Sequence, residues 1–120
     1  MKYTDALRGY AYPIHKRDDF RCVYCGWDGT EWPAWLFLSE DHLLPRGNSL
    51  RDNRDYIVTA CRFCNETCNR TRFDVLGKKP EEIIAMKKNA IMKVRNEYKQ
   101  FYEQKVQLIS SLEKEIREVS

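Results

Sequence analysis

Four cysteines stand as two C-x2-C pairs, Cys22-Val-Tyr-Cys25 and Cys61-Arg-Phe-Cys64. Each pair can present two thiolates to one ion from a tight turn. Two such pairs complete a tetrahedral four-sulfur site of the kind that suits structural zinc. Gly26 follows the first pair, where a knuckle turn calls for positive φ. A single pair would read equally well as buried small side chains or a redox couple, and two pairs favour the metal. The insert, residues 26–60, is longer than in a simple zinc ribbon, so it must itself be folded. Cys68 is the odd thiol and reads as a helix-face residue.

That insert holds the second stretch with chemical potential, "FLSEDHLLPRGNS". An apolar run passes through Ser39 into Asp41 and His42, then turns at Pro45 and Gly47. A buried strand has little use for an acid and a histidine side by side, whereas a catalytic site at a strand end does. A neutral imidazole is a usable general base near neutral pH. Taken without its surroundings, His42 reads more readily as a structural histidine at a strand end; for Asp41 the alternative is an ordinary loop acid.

The elements that must position these residues can be read coarsely. "AWLFLSE" is a strand candidate, rich in aromatic and aliphatic residues, and "YIVTA" is a second, β-branched at Ile57, Val58 and Thr59. The loop between them carries Pro, Gly and Asn, so the two strands can pair as a hairpin. "CRFCNETCNRTRFDVLG" reads as knuckle followed by helix, ending near Gly77. Residues 1–15 look irregular with about one helical turn. Trp27, Trp32 and Trp35 read as core residues, and His15 as structural or surface.

Residues 80–120 differ in character. Pro80 suits the first helical position and Glu81 and Glu82 the first turn. Ile84, Ile91, Tyr98, Lys105, Leu112 and Val119 recur every seven residues, with Val94, Phe101 and Leu108 offset by three. This is an a/d seam, weakened by Lys105, Lys87 and Glu115. A helix of that length reaches about 60 Å, longer than a small domain is wide. The seam favours a partner helix, most simply a second copy in a homodimer; packing back on the cysteine region is the other option. The predicted organisation is α+β: a zinc-stapled unit over residues 1–79 and a long helix over residues 80–120 for dimerisation or partner docking.

At this point the chain resembles a family. "RDDFRCVYCG…LSEDHLLPRG…YIVTACRFCN" is similar to the HNH endonucleases, ββα-metal (His-Me finger) nucleases, in the form braced by a four-cysteine zinc. The resemblance covers residues 17 to about 72. It implies His42 as the general base, and Asp41 and Asn65 as ligands of a catalytic Mg2+ or Mn2+. It also implies hydrolysis of DNA to 5′-phosphate and 3′-hydroxyl ends. A hard ion on oxygen ligands would leave positions for water and phosphate. Asn65 reads otherwise as a helix N-cap. The family's middle Asn is absent: Tyr56 stands at its place, with Asn53 nearby as a supporting-loop substitute.

Charge points the same way. The chain carries 21 Lys/Arg and 18 Asp/Glu, a net charge of +3. The excess sits in residues 46–79, just after the Asp-His pair, where a polyanion could be held. Arg46 and Arg70 are the first candidates for DNA contact, then Arg72, Arg51 and Arg54, because a guanidinium grips phosphate with a planar fork. No apolar leader and no 18-residue apolar run is seen, so no membrane span is expected and a cytoplasmic location is the default. No motif calls for an organic cofactor. The competing reading is a catalytically inactive zinc-knuckle nucleic-acid-binding or adaptor module.

Overall fold

A computed structural model describes residues 11–119. Helix α1 (Tyr12–Arg17) precedes the first cysteine pair. Strand β1 (Leu38–His42) and strand β2 (Ile57–Cys61) form a two-stranded antiparallel sheet. A π-helical segment (Phe63–Cys68) follows, and α2 (Pro80–Val119) closes the chain. The architecture is mixed: a small hairpin plus a long C-terminal helix. The expectation for residues 1–15 falls, over residues 1–10, outside the described part.

The hairpin register is Leu38↔Cys61, Ser39↔Ala60, Glu40↔Thr59, Asp41↔Val58 and His42↔Ile57. Alternation sends Ser39 and Asp41 to one face of the sheet and Leu38, Glu40 and His42 to the other. The π-helical segment and α2 reach the first face. Helix α1 takes the second, where the His15 ring nitrogen lies 2.8 Å from the Thr59 hydroxyl. Val58, Ala60, Leu43, Leu44, Ile83 and Ile91 pack with the buried cysteines into one core. Each fully buried isoleucine contributes about 1.5–3 kcal/mol.

The structure corrects several expected elements. The first strand does not begin at Ala34: residues Ala34–Phe37 form a 3-10 turn, and β1 runs from Leu38 to His42. Gly29 explains part of this tight approach. A Cβ there would lie 2.6 Å from Leu38 Cγ, so the loop backbone lies against the strand's first side chain. The helix expected up to Gly77 stops at Cys68. Asn65 is tied back to β1, and the run that follows places Asn69 and Thr71, both weak helix formers, at the point where the helix ends. The tryptophans are not core. Trp32 is 73% and Trp27 41% exposed, and Trp35 is half-buried against Trp32.

Candidate functional site

The two cysteine pairs converge. The sulfurs of Cys22, Cys25, Cys61 and Cys64 all lie within 4.8 Å of one another. Four sulfurs about 2.3 Å from a central zinc would stand about 3.8 Å apart, and Cys25 and Cys61 are 3.7 Å apart. The cluster can therefore hold a metal ion, and its donor set is compatible with zinc. Local backbone supports it. Gly26 has a φ of 80°, and its N–H donates to the Cys22 carbonyl. The N–H groups of Cys25 and Cys64 point at the sulfurs of Cys22 and Cys61.

The thiols share charge unevenly. Hydrogen bonds from Cys61 and Cys64 hold the Cys22 thiol far below its usual range. Cys61 is pushed up to about 11, first by its bond to Cys22, and Cys64 is driven up by the same neighbours. Such a cluster loads a metal as its remaining protons leave. Arg95 of α2 lies 3.7 Å from the Cys64 sulfur, with its guanidinium 4.9 Å from the Phe63 ring centroid. Burial works against the Arg95 charge, but Cys25, Cys64 and Cys61 outweigh it and raise the pKa. Cys68 is buried, and that burial pushes its thiol up.

Asp41 and His42, adjacent in sequence, part at the strand. Asp41 is 5% exposed. Its Oδ2 accepts from the Tyr24 hydroxyl and from Lys87 Nζ, the latter at 2.7 Å. Asn69 Nδ2 lies 3.4 Å from its other oxygen. Tyr24 comes from the first knuckle, Lys87 from α2 and Asn69 from just past the π-helical segment. The Tyr24 phenol is raised well above its ordinary value, first by burial and then by the Asp41 charge. Tyr24, Lys87 and Asn69 are not among the site residues expected from the sequence. Lys87 left a signal nonetheless: it is a charge inside the apolar seam between Ile84 and Ile91.

Asn65 is half-buried, and its amide nitrogen faces Ser39 Oγ at 3.1 Å and the Glu40 carbonyl at 3.3 Å. It thus ties the π-helical segment to β1. As arranged here, Asp41 and Asn65 do not fit a divalent ion. Both Asp41 oxygens face N–H or O–H donors, and an ammonium already stands where a second cation would. Breaking a buried pair by removing one partner costs about 3–5 kcal/mol.

His42 has a different setting. Its ring lies at the end of β1, with Nε2 3.7 Å from Asp52. It lines an open cleft of about 310 Å3 together with Leu43, Pro45, Arg72, Phe73 and Lys87, among others. The supporting loop is held from both ends: Asn53 Oδ1 accepts from the Asp55 N–H, and Leu43 N–H donates to the Tyr56 carbonyl at 2.8 Å.

Of the arginines, Arg72 reaches the cleft. Arg70 turns instead to the Thr67 carbonyl and the Tyr98 hydroxyl, both at 2.7 Å. Arg51 lies 3.7 Å from Asp52. Arg46 and Arg54 are exposed, and the Arg54 carbonyl accepts from Arg17. No helix among the described residues is long and apolar enough to cross a membrane. No protein-family model, no curated protein and no solved structure matches this chain.

Proposed function

We propose that the chain hydrolyses phosphodiester bonds of nucleic acid, DNA in the first instance, on a hairpin stapled by zinc at the four cysteines. One observation carries this reading: a histidine at a strand end, an arginine and a lysine line the same open cleft. Arg72 suits a phosphate with its planar fork. His42, half-buried at the edge of the cleft, takes the proton of an attacking water. The resemblance of residues 17 to about 72 to HNH endonucleases agrees with that assignment of His42.

Cleavage of supercoiled plasmid by wild type and His42→Ala tests it. Nicked or linear product from the wild type, reduced by about 10²–10⁴-fold in the variant, is the expected result. Absence of product from a folded wild-type protein with metal on its cysteines overturns it.

A second reading has its own support. With Asp41 neutralised by Lys87, the same cleft can bind a backbone phosphate without cutting it. Salt-dependent DNA retention by both proteins, with no product from either, would favour that binding module.

The outer half of α2 bears on assembly. Phe101, Tyr102, Leu108, Ile109, Leu112 and Ile116 are exposed on it. With the seven-residue spacing of the seam, they support pairing of α2 with α2 of a second copy.

A further inference from the structure

The misfit at Asp41 leaves the charge of a bound phosphate to be met some other way. Lys87 satisfies three requirements at once. Its ammonium is fixed, 2.7 Å from Asp41 Oδ2. It is 8% exposed, so water screens it little. It also lines the cleft that holds His42 and Arg72. A long, flexible lysine on an open surface would be a poor electrophile, because its charge is solvated and its position diffuse. Here α2 delivers the side chain, and Asp41, itself held by Tyr24 and Asn69, orients its head.

We propose that Lys87 is a catalytic residue of the cleft, which donates a charge-assisted hydrogen bond to the phosphate from its pair with Asp41, in place of a divalent ion. This rests on the hydrolase reading above. In the step, the water oxygen bonds to phosphorus as its proton passes to His42. The bond from phosphorus to the leaving sugar oxygen breaks. That oxygen keeps the electron pair and takes a proton from solvent, and His42 returns its proton to bulk water. Lys87 transfers no proton; its part is a hydrogen bond to a phosphate oxygen. No divalent ion is needed at Asp41.

The test uses the full chain with a measured zinc complement and supercoiled plasmid as the probe. Each protein is assayed in metal-depleted buffer and with added Mg2+ or Mn2+. The variants are His42→Ala, Lys87→Met and the double variant Asp41→Asn/Lys87→Met, which removes both buried charges together and guards against misfolding of the single one. The expected result is cutting by the wild type without added ion and a loss of about a hundredfold or more in Lys87→Met. The double variant should be folded and equally slow.

Two results would overturn the inference while leaving the hydrolase reading intact. One is a wild type that cuts only with added Mg2+ or Mn2+ and loses activity in His42→Ala. The other is recovery of the wild-type rate in the double variant, which would make Lys87 a structural counter-charge. If no protein cuts under any condition, the hydrolase reading falls and this inference falls with it.

Discussion

At the scale of single residues, the Asp41 carboxylate decides most. It collects Tyr24, Lys87 and Asn69 from three separate parts of the chain. Lys87→Met alone is expected to destabilise the fold by about 3–5 kcal/mol, because it strands a buried charge. The double variant with Asp41→Asn should recover most of that loss, read as the midpoint of urea unfolding.

Tyr24 gives a pH dependence with a definite sign. Its folded-state pKa lies above the ordinary 10.0, first through burial. Its contribution is therefore complete below pH 10 and declines as pH rises beyond it, because the unfolded state loses the phenolic proton first. Tyr24→Phe should cost about 1–3 kcal/mol near neutrality. It should also flatten the alkaline fall in stability, measured by denaturation at a series of pH values. The sequence singles out Asp41 and His42 together as candidate site residues. Their separation was not legible, because strand alternation places neighbours on opposite faces and only the packing of α2 says which face is buried. The one trace of Lys87 was its misfit in an apolar seam.

At the scale of elements, the hairpin depends on the cysteine knuckle. The two strands share only five register pairs, and a two-stranded hairpin by itself is marginal in water. Metal binding then adds directly to folding free energy. Removing the metal with a strong chelator, or replacing Cys64 by serine, is expected to abolish the cooperative thermal transition. Circular dichroism in the near ultraviolet follows it through Tyr24 and Trp35. Acid should release the metal as well, since the thiols must be deprotonated to bind it. The order knuckle, strand, strand, knuckle was readable because cysteine spacing and β-branched runs are local signals. The strand boundary at Leu38 and the early stop at Cys68 were not. They follow from contacts across the chain, Gly29 against Leu38 and Asn65 against Ser39 and Glu40.

At the scale of the whole molecule, the shape is set by α2. The radius of gyration is 18.6 Å, against about 14 Å for a compact chain of this length. Ile83, Lys87 and Ile91 of α2 are buried, whereas the large apolar residues from Tyr98 onward are exposed. Along the helix the large side chains thus change from buried to exposed near Arg95. Sedimentation equilibrium is expected to give twice the 14.4 kDa chain mass. The double substitution Leu108→Glu/Leu112→Glu should return it to the monomer mass without moving the urea midpoint of the metal-bound unit. The helix was legible in full from its periodicity, since Pro80 opens it and no Gly or Pro interrupts it. How far it docks was not, because the seam reads alike whether its partner is the same chain or another.

The ion pair between Lys87 and Asp41 also orders events during synthesis. All four cysteines are present once residue 64 has left the ribosome, so the metal can be captured early. The compensating ammonium arrives later, and the Arg95 contact to Cys64 later still. A nascent chain halted at residue 79 would carry its staple and an uncompensated carboxylate inside a half-made core. Such a chain is expected to be a substrate for chaperones and proteases, and the stretch from Pro80 to Arg95 decides whether the product survives.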